Sequence, residues 1–142
     1  MECVQNLFPG CYDHLGFCTP TYNEIVEHIG NVVLSSRDHD YQGTSYYLLE
    51  KDSKYGYLEF GWGSCSGCDA LEACENCNDL QSICDRLEES VKWFDSESEF
   101  LEWAKNIRDW EGSFSWGDGV GNFIQKVNNR YGVAINYPLD KI

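Results

Sequence analysis

Thr44-Ser45-Tyr46-Tyr47-Leu48-Leu49-Glu50-Lys51-Asp52-Ser53-Lys54-Tyr55-Gly56-Tyr57-Leu58-Glu59-Phe60-Gly61-Trp62 is the stretch that decides the fold. Two runs rich in Tyr, Leu, Phe and Trp, residues 44–50 and 55–62, flank the polar Lys51-Asp52-Ser53-Lys54, which is the pattern of a β-hairpin. Side chains alternate along a strand, so Tyr55, Tyr57 and Glu59 share one face while Leu58, Phe60 and Trp62 share the other. Upstream, Val32, Val33 and Leu34 predict a further short strand over residues 32–36. Before it, Thr21-x-x-Glu24 forms a capping box after Pro20, and Ile25, Val26 and Ile29 follow at helical spacing until Gly30.

Downstream of the hairpin the period changes to that of helices. Asp69-x-x-Glu72 predicts a short helix carrying Ala70, Ala73, Cys74 and Cys77. Asn78-x-x-Gln81 opens a longer one, with Leu80, Ile83, Cys84, Leu87, Val91 and Phe94 forming a single apolar stripe over residues 80–94. Ser96-x-x-Glu99 caps another, with Phe100, Trp103, Ala104 and Ile107 on its apolar side. Asp118 caps a last helix through Val120, Phe123, Ile124, Val127 and Tyr131, which stops at Gly132. Residues 1–19, with Pro9, Gly10, Gly16 and three cysteines, show no period and are expected to be irregular. The expected fold is α+β in a single domain over residues 1–142: a small antiparallel sheet (about residues 32–62) packed against three or four C-terminal helices.

Composition limits what such a domain can do. The 142 residues carry 24 Asp plus Glu against 10 Lys plus Arg, a net charge of −14, which excludes direct binding to a phosphate backbone. With 42% hydrophobic and 15% aromatic residues the chain is too apolar for an acidic disordered tail. It has no apolar run of membrane-spanning length and no signal-type segment, so a cytoplasmic setting is expected. The charge concentrates in residues 69–111, which hold 13 acids and four bases, whereas residues 112–142 are net +1. Such an acidic helical block either solubilises the molecule or presents an electrostatic surface to a basic partner.

Eight cysteines lie at positions 3, 11, 18, 65, 68, 74, 77 and 84. Without a secretory signal, reduced thiols or a metal site are expected rather than disulfides. Cys65-x2-Cys68-x5-Cys74-x2-Cys77 supplies four soft ligands at a spacing that zinc can use, and a second group, Cys11-x2-His14-x3-Cys18, lies in the N-terminal segment. The other reading of Cys74, Cys77 and Cys84 is small core residues, since they fall on apolar helix stripes. Cys65 or Cys68 ahead of a helix would have a lowered pKa as a thiol nucleophile, but His14, His28 and His39 are the sole histidine bases and the sequence pairs none of them with it. No phosphate-binding glycine loop and no dinucleotide fingerprint is present.

Tyr55-Gly56-Tyr57-Leu58-Glu59-Phe60-Gly61-Trp62-Gly63-Ser64-Cys65-Ser66-Gly67-Cys68-Asp69-Ala70-Leu71, with Lys92-Trp93-Phe94-Asp95-Ser96 and Asp109-Trp110-Glu111-Gly112, resembles a family of small bacterial and phage proteins with no established activity. The resemblance covers roughly residues 40–115 and carries no catalytic role to any residue. It implies a phage or mobile-element context and a cytosolic setting.

Charge, aromatics and this resemblance together predict a non-enzymatic protein. The expected function is an anti-defence inhibitor, possessing the character of a nucleic-acid mimic, that binds a host protein with a basic surface in the host cytoplasm. Glu88, Glu89, Asp95, Glu97, Glu99 and Glu102 are the carboxylates expected to make the interface, on exposed parts of two consecutive helices. Trp93, Trp103, Trp110 or Trp116 would supply an aromatic anchor. The alternative is a zinc-stabilised regulatory module holding its metal on Cys65, Cys68, Cys74 and Cys77; a thiol enzyme comes third.

Overall fold

A computed structural model describes residues 1–9, 12–13, 16–17, 19–39, 42–63, 69–106 and 119–135. The elements run α1 (Val4–Leu7), β1 (Tyr12–Asp13), β2 (Gly16–Phe17), α2 (Tyr22–Ile29), β3 (Asn31–Arg37), β4 (Gly43–Lys51), β5 (Lys54–Trp62), α3 (Cys77–Glu89), β6 (Lys92–Phe94), α4 (Glu97–Asn106) and α5 (Gly119–Tyr131). The expected hairpin is β4–β5, paired without slippage from Gly43↔Trp62 to Lys51↔Lys54. Its two turn residues, Asp52 and Ser53, both take left-handed backbone angles (φ 53° and 67°), as a tight two-residue hairpin turn demands. The Glu50 carboxylate steadies this turn by accepting from the Ser53 N–H at 3.2 Å.

Four antiparallel strands form the main sheet in the order β3-β4-β5-β6. The fold class is α+β, but the helices lie on both faces of the sheet. On one face α1, α2 and α3 pack on Tyr47, Leu49 and Leu58. On the other, α4 and α5 cover Tyr46, Leu48 and Tyr57. The expected cover by C-terminal helices alone is therefore corrected: the helix predicted before the sheet, α2, is part of that cover, and the helices divide into two outer layers. The cause is β4, whose residues 44–49 are buried on both faces and need cover from both.

The local signals hold where capping chemistry is strong. Thr21 and Glu24 form the reciprocal capping box of α2, and Gly30 closes it. The Ser96 hydroxyl accepts from the Glu99 N–H at 3.2 Å at the start of α4. Gly132, with φ +62°, ends α5. Three boundaries differ from expectation. Residues 70–73 form only a turn, not a helix. Asn76, not Asn78, caps α3 by accepting from the Asp79 N–H at 3.0 Å. The helix expected over 80–94 ends at Glu89, and Lys92–Phe94 is a strand.

Residues 1–9, expected to be irregular, hold the short helix α1 docked on α3. The Gln81 side chain accepts from the Val4 N–H at 2.9 Å and donates to the Met1 carbonyl at 3.2 Å, so α3 anchors α1. Val4, 1% exposed, then seats in the first core. Cys3 is the residue before this helix and is exposed. Among the described residues no helix is long and apolar enough to cross a membrane.

Two buried carboxylates tie distant segments together through backbone N–H groups. Asp38, just past β3, accepts from Thr44 N–H and from Gly119 N–H, each at 2.9 Å, and so caps α5 from 81 residues away. Asp69 accepts from Gly63 N–H at 2.7 Å, from Leu71 and Glu72 N–H at 3.0 and 3.1 Å, and from the Tyr22 hydroxyl at 3.0 Å. Burial, with the Asp69 charge next in importance, pushes the Tyr22 hydroxyl far above its ordinary value.

Candidate functional site

β6 is the last strand in the sheet order and pairs with β5 through Tyr55↔Phe94, Gly56↔Trp93 and Tyr57↔Lys92. Its three side chains have different fates because the strand sits at the boundary of both cores. Phe94 turns into the second core, where its ring meets Phe100 at 5.7 Å. Lys92 lies over the rings of Phe94 and Trp103, 5.5 and 6.0 Å from their centroids. Trp93 remains 37% exposed. The Trp93 ring lies against Gly56, where an added Cβ would fall 2.9 Å from ring carbons Cε3 and Cζ3 and 2.5 Å from Val91 Cγ1. Glycine at 56 thus leaves the room that the indole occupies against β5.

The six expected carboxylates gather near this strand but do not share one helical face. Glu88 and Glu89 end α3, in the first layer; Glu97, Glu99 and Glu102 belong to α4, in the second; Asp95 follows β6 directly. Carboxylates therefore stand at both ends of β6. Three of them also have structural work, which charge counting in a sequence does not show. Glu88 lies 2.8 Å from the Met1 amino group, which, chiefly through Glu88 and then Asp85, is raised to about 10. Glu99 accepts from the Asp95 N–H at 2.9 Å. Glu97 faces Tyr131, whose hydroxyl is raised to about 12 by burial first and by Glu97 second. Glu89, Asp95 and Glu102 are exposed, and Asp95 approaches Lys54 only at 3.7 Å. Trp103 is half-buried between α4 and the sheet, while Trp110 and Trp116 lie outside the described residues.

The cysteine string divides differently. Cys65 and Cys68 lie outside the described residues, as do Cys11, His14 and Cys18. Cys74 donates to the Ala70 carbonyl at 3.5 Å, and Cys77 accepts from Gln5 Nε2 at 3.3 Å. Cys84 is a fully buried core residue. Burial, then the Asp85 charge, pushes the Cys84 thiol up to about 11, and burial also raises Cys74. No group of three or more metal-ligating side chains is assembled among the described residues.

These environments set an expected labelling order. At neutral pH iodoacetamide should modify exposed Cys3 readily and leave Cys84 unmodified until the protein unfolds, as read by peptide mass spectrometry. Folded Cys84 keeps its proton where the unfolded thiol, near 9, has lost it. The stability this group contributes is thus full below pH 9 and falls as pH rises through about 11. The four-cysteine zinc centre has its own test. It requires about one zinc per chain and a melting temperature that chelator lowers; metal-free protein with an unchanged melting curve removes it.

No family model, no curated protein and no solved structure matches this chain.

Proposed function

We propose that this protein is a non-enzymatic inhibitor that binds a nucleic-acid-processing host protein through the β6 edge. Trp93 acts as the anchor, and the carboxylates at the two ends of the strand meet a basic surface. The observation that carries the reading is an indole left exposed on an edge strand between two acidic groups, in a chain of net charge −14. Trp is enriched among the residues that dominate binding energy, and charges at the rim steer association. Carboxylates placed where phosphates would lie make a groove built for nucleic acid attractive to this surface and exclude nucleic acid itself as the ligand. An anti-defence role in the host cytoplasm is the part of the proposal that rests on the sequence reading alone.

The test uses the three carboxylates without structural work. Glu89→Lys/Asp95→Lys/Glu102→Lys should melt as wild type does, because the three carboxylates are exposed, whereas Trp93→Ala, which loses the packing of its ring on β5, is compared at a temperature where it is fully folded. Immobilised wild type should capture a basic protein from bacterial lysate at low salt, and both variants should capture far less of it. Equal capture by all three proteins would overturn the assignment of this edge as the interface.

A further inference from the structure

A second surface runs against the overall charge of the molecule. Between the end of β3 and one side of α5 lies an open polar cleft of about 400 Å³. Two cations line it, Arg37 from the strand and Lys126 from the helix, together with the amides Asn122, Gln125 and Asn129. Positions 122, 125, 126 and 129 fall on one stripe of α5, so a single helix face delivers four donors to the cleft. Although the chain has 24 Asp and Glu, no carboxylate among the described residues lines this cleft.

Both cations are held in place, and no carboxylate among the described residues pairs with either. Arg37 lies over the Trp62 ring, 4.7 Å from its centroid, and Lys126 Nζ donates to the Ser35 carbonyl at 2.7 Å. The carboxylate nearest in sequence, Asp38, is turned inward and spends both oxygens on the N–H groups of Thr44 and Gly119. Neither Arg37 nor Lys126 forms an ion pair among the described residues. Cations fixed by a ring and a carbonyl lose little freedom when an anion arrives.

We propose that this cleft binds a phosphate-bearing small molecule of about nucleoside-monophosphate size. A guanidinium fork, an ammonium and three amides offer many donors, which matches the three oxygens of a phosphomonoester better than the two of a carboxylate. The volume exceeds that of a bare ion and lies within the range of small-molecule sites. The adjoining cleft of about 440 Å³ shares Arg37 and is bounded by Asp69 and Glu72, so the anionic group belongs on the Lys126 side. This site stands apart from the β6 edge and does not depend on the function proposed for it.

Titration of the full chain with nucleoside monophosphates, ribose 5-phosphate and inorganic phosphate tests the proposal, read by calorimetry and by Trp62-sensitive fluorescence. The two phosphomonoester probes should bind, and more tightly than inorganic phosphate. Arg37→Gln and Lys126→Gln should each weaken them by about tenfold or more, the loss expected for a charge-assisted hydrogen bond. Both side chains are exposed, so the melting curves of the variants should match wild type. Absence of binding by wild type at millimolar probe, inorganic phosphate binding as tightly as the esters, or binding that both variants retain would each overturn the proposal.

Discussion

Asp38→Ala should destabilise the protein by about 3 kcal/mol or more, measured by denaturant unfolding. The carboxylate is only 2% exposed, and it is the acceptor for Thr44 N–H at the start of β4 and Gly119 N–H at the start of α5. Alanine leaves two buried donors without partners, each costing about 1–3 kcal/mol, and removes the negative charge at the N-terminus of α5. The backbone is shaped around this carboxylate, since glycine at 43 and at 119 leaves room for it. A Cβ on Gly43 would lie 2.6 Å from Asp38 Oδ2, and one on Gly119 would lie 2.7 Å from Asp38 Oδ1. Asp38→Asn, which keeps one oxygen acceptor, should cost less than Asp38→Ala. If Asp38→Ala unfolded at the same denaturant concentration as wild type, α5 would be held by its apolar face alone.

Phe100→Ala should cost about 3–5 kcal/mol, the usual range for deleting a buried aromatic ring. Phe100 is fully buried beneath α4 and packs on Phe94 of β6 and on Trp103, with centroids 5.7 and 6.2 Å away. Its loss opens a void in the second core, which holds the face of the sheet opposite α3. Glu102→Ala, exposed on the same helix, should cost under about 0.5 kcal/mol. Equal, small costs for the two variants would mean that α4 does not cover the sheet.

How far the sequence alone leads is clearest at three places. The β4–β5 hairpin and the caps at Thr21 and Ser96 depend on neighbours a few residues apart, so they are legible as written. The two-layer arrangement was also encoded, in Tyr46-Tyr47-Leu48-Leu49. Four consecutive large apolar residues put two on each face of a strand, a sign of cover from both sides that is easily overlooked when an alternating neighbour such as β5 draws attention. The overlong helix came from a coincidence of spacing. Val91 and Phe94 continue the helical stripe numerically, yet Val91 packs in the first core and Phe94 in the second, which one stripe of a helix cannot do.

The candidate sites divide along the same line. A run of acids is visible in any sequence, and so is Trp93. What was not visible is which carboxylates are committed. Glu88 answers the Met1 amino group, and Glu99 caps a backbone N–H, through contacts that depend on the folded chain. The cationic cleft was missed altogether, because Arg37 and Lys126 are 89 positions apart and look like scattered bases in an acidic chain. Its one local signal was the amide-rich spacing Asn122, Gln125, Asn129 on the side of α5 away from its apolar stripe.

The central claim is that the β6 edge meets a basic surface in place of nucleic acid. Its most direct test is the association rate between the captured partner and this protein, measured by stopped flow at low and at physiological salt. For wild type the rate should fall steeply with salt, because exposed charges are screened beyond about 8 Å at physiological ionic strength. Glu89→Lys/Asp95→Lys/Glu102→Lys should associate at least about tenfold more slowly at low salt, with a flatter salt dependence, and added nucleic acid should compete with wild type. A partner that associates equally fast with both proteins, regardless of salt and of nucleic acid, would contradict the account.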